Sequence, residues 1–387
     1  MRLRPSAAAT SSLLVIGFLV LPLDMAQAQP GIDLWSHEIG AQLWAPLRHD
    51  GGTLYFGADD AIFRAFDIGS QTVSWEFETG GIIRSRAEIA DGDVLFASDD
   101  GFLYSLEASS GAEIWRFDLG GSDMARVLPA TDPPYEYDYL HSSPVNHGGT
   151  VYVGSANGAL YAISRETGQE RWRFETGGKI RSTPVLEGGK VYFGSWDGHV
   201  YAVSAASGDL VWEFDTGGIV QGSPATGAGK VFVGSRSAAV FALDAESGEL
   251  VWKHVHEDGS WVESSPVYSD GAIYIGSSDA LELFALDAET GQANWSFRTG
   301  GWSWSTPALA DGVVYIGGLS ASPYYFEGVT LRAGFFAVDQ KTGASLWEFS
   351  PRPIDGYITG GVFSTPVIAD GVVYIGALDG RLYAFEE

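Results

Sequence analysis

No cysteine occurs anywhere in this sequence. That excludes disulfide staples, thiolate metal centres and a cysteine-linked lipid anchor. Positive charge is also scarce, with 22 Lys and Arg against 49 Asp and Glu and a formal net charge of −27. A phosphate backbone needs a basic surface, so nucleic acid is excluded as a partner. Long apolar runs are missing too. The longest, Leu13 to Leu23 (LLVIGFLVLPL), is too short to span a bilayer. With the basic start MRLR before it and AQA at Ala26–Ala28 behind it, this run reads as a secretory leader covering residues 1–28. No twin-arginine pair precedes it, so export in the unfolded state is expected. The expected product is periplasmic or secreted, not lipid-anchored, without a transmembrane segment, and a monomer. Stretches of helical period are absent, as are G-x-S-x-G, H-E-x-x-H, P-loop and EF-hand patterns.

What the sequence has in abundance is glycine (51) and tryptophan (13), and both follow a repeat. The stretch HSSPVNHGGTVYVGSANGALYAISRETGQERWRF, from His141, returns as RSTPVLEGGKVYFGSWDGHVYAVSAASGDLVWEF, from Arg181. One tryptophan closes each copy: Trp35, Trp75, Trp115, Trp172, Trp212, Trp252, Trp295 and Trp347. The period of about forty residues signals a propeller or a solenoid. Within a copy, short β-branched and aromatic runs are bounded by Gly, Asp and Asn, which predicts four short strands. Turns such as Asp100-Gly101, Asn157-Gly158, Asp197-Gly198 and Asp379-Gly380 supply positive φ angles. The expected fold is all-β, an eight-bladed β-propeller of four-stranded antiparallel blades over residues 29–387, as one domain. The last copy lacks its tryptophan strand, and DLWSHEIG at Asp33–Gly40 supplies one. Pairing the two would close the ring.

The pattern A-x-D-x-x-T-G-x-x-x-W, seen as ALDAESGELVW (Ala242–Trp252) and ALDAETGQANW (Ala285–Trp295), resembles the tryptophan-docking repeat of PQQ-type propellers. The resemblance spans residues 31–387. It implies that each tryptophan packs between neighbouring blades and that Thr-Gly shapes the preceding turn. It specifies the fold more than the activity.

Function is sought where the copies differ. With strands ordered A to D from the axis outward, D–A connections and B–C turns share one face. The insertions Ser122–Leu140, His256–Trp261 and Pro351–Gly361 are D–A loops, and Leu319–Gly334 is a B–C loop. All four decorate that face, where binding residues are usually carried. The residue ahead of S-[ST]-P begins the inner strand at the channel mouth, and round the ring it reads Leu43, Arg84, His141, Arg181, Gln221, Glu263, Trp304 and Phe363. Charge and size vary there, as in a recognition set. Trp302 and Trp304 alternate with serines, as Tyr135, Tyr137 and Tyr139 alternate with acids. With Trp261, Tyr324, Tyr325 and Tyr357 they form an aromatic rim, suited to a protein hot spot, a planar anion or a glycan, or to packing the loops down. His254 and His256 share one side of a strand, but no third metal ligand is visible, so they read as an edge-strand pair.

Three functions are compatible with these residues. The chain resembles the BamB-like propeller subunit of the outer-membrane β-barrel assembly machinery, which implies a non-enzymatic scaffold with a periplasmic or outer-membrane protein partner. It is also similar to quinoprotein dehydrogenases, which implies pyrroloquinoline quinone with Ca2+ at the mouth, Arg84 or Arg181 on its oxygens and Trp304 beneath it. That family's adjacent-cysteine disulfide has no counterpart here, and Glu263 is the only acid in the ring. A lyase on anionic polysaccharide would use Arg84 and Arg181 to neutralise a uronate, with His141 or a tyrosine moving the proton. The scaffold reading, with no catalytic residue, metal or cofactor, is the one the sequence favours.

Overall fold

The computed structural model describes residues 31, 33–121, 138–322 and 328–387, so the leader assigned to residues 1–28 lies outside it. Blade 4 shows the unit. Val185–Glu187, Lys190–Gly194, His199–Ser204 and Leu210–Asp215 form a four-stranded antiparallel sheet in chain order. The second strand is almost wholly buried, while the outer strand alternates between exposed and covered. Eight such sheets are present, and one gains a fifth strand. The eighth is built from Val367–Ala369, Val372–Gly376, Arg381–Glu386 and, outermost, Asp33–Glu38. Trp35 lies opposite Ala384 there, so the first strand closes the ring as the sequence implied.

Apolar packing is divided among wedges between blades. Tyr192, Val200 and Trp212 of blade 4 pack with Val231, Phe241 and Leu243 of blade 5. The tryptophan organises each wedge. Its cross-strand partner is small, as in Ala202 opposite Trp212, and the register shifts beside that pair. Such a bulge sharpens the local twist. The freed indole lies on the Thr-Gly or Ser-Gly turn of the next blade. At Gly248 (φ +73°) a Cβ would stand 2.6 Å from the Trp212 ring, and Gly111, Gly168, Gly208, Gly291 and Gly343 repeat the contact. The Trp212 indole N–H donates to Ala245 O (3.1 Å), which also accepts from the Tyr192 hydroxyl (3.0 Å). Blade 1 departs from the rule, because Gln71 (φ 54°) holds the glycine position there.

Near the axis the repeated serine replaces missing ladder bonds. Ser182 Oγ donates to Gly194 O (2.8 Å) and accepts from Gly194 N–H (2.9 Å). A side chain at Gly194 would strike Val220 of the next blade at 2.2 Å. Two of the four insertions meet, while residues 122–137 of the first lie outside the described residues. Ile358–Gly361, in the Pro351–Gly361 insertion, pairs with the end of Val313–Ala321, in the Leu319–Gly334 insertion.

Gly248→Ala is expected to cost about 2–4 kcal/mol, from left-handed strain plus collision with Trp212. Gln71→Ala, at the equivalent position that already carries a side chain, is expected to stay within about 1 kcal/mol. Denaturant unfolding of the two variants measures the contrast.

Candidate functional site: the channel mouth

Backbone bonds between blades fix which residues form the mouth. Leu43 N–H donates to Ala377 O as Ile83, Ile180, Val220 and Val262 donate to their counterparts. The next residue in each blade is therefore the equivalent one, and in blade 1 that residue is Trp44. Leu43, expected in the ring, is fully buried between blades instead. Pro46 causes the one-residue slip: it stands at the [ST] position of the repeat, not at its proline. The observed mouth is Trp44, Arg84, His141, Arg181, Gln221, Glu263, Trp304 and Phe363, all buried.

Blades 7, 8 and 1 make an aromatic arc. Trp302 and Trp304 do share one side of their strand and stack at 4.5 Å, with 9° between planes. Tyr139, from the end of the first insertion, stacks on Trp304 at 4.5 Å and 5°. Trp304 thus lies between two parallel rings. Phe363 meets Tyr139 edge-on at 5.2 Å and Trp44 at 5.2 Å. Trp261 and Tyr357 are half-buried against this cluster. Tyr135, Tyr137, Tyr324 and Tyr325 lie outside the described residues.

Blades 2 to 6 make a polar arc, whose charges are matched by residues the sequence reading had passed over. Arg84 donates through Nε to Asp59 Oδ1 (2.9 Å) and through Nη2 to Oδ2 (2.6 Å), and lies 4.4 Å over the Trp44 ring. His141 Nε2 is 3.5 Å from Asp99, and its Nδ1–H donates to Ser142 O (2.9 Å). Arg181 bonds Asp138 twice, at 2.7 and 2.8 Å, and Lys179 bonds the same carboxylate at 2.9 Å. Asp138 is 0% exposed, and the two cations are what make its burial tolerable. Arg236 pairs with Glu263, and its Nη2 lies 3.4 Å from Gln221 Oε1. Burial and the Asp279 carboxylate push the Glu263 acid well above its ordinary value, against the pull of Arg236. Asp59, Asp99 and Arg236 occupy one position of the B–C turn, so these three turns answer the mouth residue of the following blade, whereas Arg181 is answered by Asp138 of the first insertion. The signal for it was a pair of opposite charges spaced 25 residues apart, as in Asp59–Arg84, or 27, as in Arg236–Glu263.

Beside the arc, Trp196 and Trp261 are half-buried, with Arg236 4.8 Å over Trp261 and Lys179 4.9 Å over Trp196. Farther out, His254 donates to Gly291 O (2.9 Å) and His256 packs on Phe284 at 4.9 Å. Among the described residues no group of three or more His, Cys, Asp or Glu is placed to hold a metal ion, and no helix is long and apolar enough to cross a membrane.

Asp138→Asn would leave Lys179 and Arg181 without their charge partner, and is expected to lower unfolding stability by about 3–5 kcal/mol. Burial and His254 depress the His256 pKa from 6.5 to about 4. Between those values the unfolded chain binds a proton that the folded chain does not, so stability falls as pH drops from 6.5 to 4. His256→Gln should remove a slope of about 1 kcal/mol per pH unit in urea titrations across that window.

No curated protein sequence matches the chain. Among solved structures, BamB from Moraxella catarrhalis superposes with a TM-score of 0.69 at 15% identity, over 92% of this chain and 100% of that one. The computationally designed Ika8 protein gives 0.70 at 18% identity, over 93% and 100%. A quinohemoprotein alcohol dehydrogenase from Comamonas testosteroni gives 0.69 at 14%, over 92% and 76%. At such identities these likenesses establish the fold alone. Sequence matches to the family described as outer membrane protein assembly factor BamB cover residues 25–127, 99–221 and 196–387, and the chain belongs to that family.

Proposed function

We propose that this chain is an exported, non-enzymatic binding protein that docks a protein partner on its decorated face, as a component of outer-membrane protein assembly. The observation that carries this reading is the closed mouth. Trp44, Tyr139, Trp302, Trp304 and Phe363 are each under 5% exposed and spend their rings on one another. A partner therefore sits on the face. The half-buried Trp196, Trp261 and Tyr357, beside Lys179 and Arg236, supply aromatic and cationic types favoured at hot spots. Arg84, His141, Arg181, Gln221 and Glu263 are the rigid floor under that surface. Export is supported by the leader read at residues 1–28, and family membership supports the assembly role.

Residues at the mouth do not fit a quinone. Tyr139 lies at stacking distance on Trp304, the ring that would have carried it, and Glu263, the only acid of the ring, is taken by Arg236. The lyase reading needs arginines free to neutralise a uronate, whereas Arg84 and Arg181 each hold a carboxylate of the chain itself.

Crosslinking of tagged protein in its native host, followed by identification of the captured chains, tests the proposal. An outer-membrane assembly component is expected, with recovery reduced at least about tenfold in a folded Trp196→Ala/Trp261→Ala variant. Unchanged recovery in that variant overturns docking on this face. Dye reduction by purified protein supplied with pyrroloquinoline quinone and Ca2+ overturns the non-enzymatic reading.

A further inference from the structure

One residue chain-ward of the closed mouth is a serine in six blades, Ala45 in blade 1 and Gly222 in blade 5; one further on, the extended segment turns a side chain to the axis again. This second circle contains Pro46, Arg86, Ser143, Thr183, Ser223, Ser265, Thr306 and Thr365, one from each blade, and it rings a cavity of about 200 Å3. Seven positions are uncharged. Arg86 is the exception, standing where the repeat otherwise places Ser, Thr or, in blade 1, Pro.

The hydroxyls of this circle are already used on their acceptor side. Arg86 N–H donates to Ser143 Oγ (2.9 Å), Ser143 N–H to Thr183 Oγ1 (3.0 Å), Thr183 N–H to Ser223 Oγ (2.8 Å) and Ser223 N–H to Ser265 Oγ (2.9 Å). Each bond runs from one blade to the next. A hydroxyl that accepts from an amide keeps its own O–H to donate, and the incoming bond polarises it. Four such donors therefore border the cavity, and no carboxylate lines it.

Arg86 is in an unusual position for a chain of net charge −27. Arg84 and Arg181, at the mouth, each grip a carboxylate, but among the described residues Arg86 has none at ion-pair distance. Its charged neighbours are Arg48, which repels it, and Glu88, which attracts it from a distance. Burial and Arg48 together pull the Arg86 guanidinium below its ordinary value. Arg48 Nε is itself buried without a hydrogen-bond partner. Within the lining itself, one half-buried cation, Arg86, faces a circle of hydroxyl donors, and Arg48 stands near enough to repel it.

We propose that this cavity binds a small tetrahedral oxyanion, phosphate or sulfate, with Arg86 as its bidentate charge partner and the hydroxyl circle as its donors. A guanidinium matches two oxygens of such an ion, and the circle supplies donors from several directions. The site is independent of the docking face and of the partner proposed for it.

Calorimetric titration of the purified protein with sodium sulfate and with sodium phosphate, at ionic strength matched by sodium chloride, tests the assignment. Saturable binding at one site is expected, with affinity at least about tenfold weaker in Arg86→Gln. Arg86→Lys, which keeps the charge but loses the fork, is expected to fall between parent and Arg86→Gln. Thermal unfolding in the chloride buffer should show Arg86→Gln no less stable than the parent, because the substitution removes a repelled cation. Absence of saturable binding by the parent, or equal affinity in parent and Arg86→Gln, overturns the proposal. So does an Arg86→Gln protein that is markedly less stable in chloride, since Arg86 would then be serving the fold.

Discussion

An indole lying flat on the glycine of the neighbouring blade is the contact from which the rest of the ring follows. A four-stranded blade has two apolar faces and no means of covering either alone. The tryptophan solves this by spanning the gap, and three local features must agree for it to do so. A small residue opposite it, such as Ala202, lets the ring lie down. The bulge beside that residue re-aims the strand. The glycine in the next turn removes the one atom that would hold the ring away, which is why it recurs at Gly111, Gly168, Gly208, Gly248, Gly291 and Gly343. Tyr192 and Trp212 then share the Ala245 carbonyl, fixing the depth of the wedge as well as its width.

Because the wedges carry the cohesion, the mouth is free to differ from blade to blade. It uses that freedom in two ways. One arc is filled by aromatic rings that stack on each other, and the other by charges that cancel in pairs. Both outcomes bury large side chains without leaving a charge alone. The ion pairs contribute little net stability compared with apolar substitutes, but each demands one particular partner in the adjacent turn or loop. Together they hold the decorated face in a single arrangement, the property a docking surface needs.

Repeat spacing, turn glycines and the eight docking tryptophans carried the fold openly, including the closing strand. The mouth was legible only in part. Arg84, His141, Arg181, Gln221, Glu263, Trp304 and Phe363 sit where the pattern places them, because S-[ST]-P marks the register in blades 3, 4, 6, 7 and 8 and the repeat spacing carries it through Ser85-Arg86-Ala87 and Gly222-Ser223-Pro224. In blade 1 the marker is degenerate: Pro46 occupies a different slot, so the pattern pointed to Leu43 in place of Trp44. Partners were harder still. Asp59 and Asp99 sit in turns where aspartate is common for backbone reasons, and that masked their second role toward Arg84 and His141. Asp138 belongs to an insertion with no counterpart in other copies, so no spacing rule reaches it. Arg86 was passed over in the sequence, although it stands where other blades carry Ser, Thr or Pro; its meaning depends on three-dimensional neighbours, among which the described residues offer no carboxylate at ion-pair distance.

The eighth blade is assembled from opposite ends of the sequence, with Arg381 reaching Ser36 and Glu38 across more than 340 positions. This contact is a clasp, and it can fasten only after every intervening blade has taken its place. Until then Arg381–Glu386 presents an open ladder of amides and carbonyls, and Asp33–Glu38 is a loose strand of matching register. A second chain caught at the same stage offers the same loose strand to that ladder. Exchange of the first strand between two copies is thus the misassembly to which this architecture is most exposed.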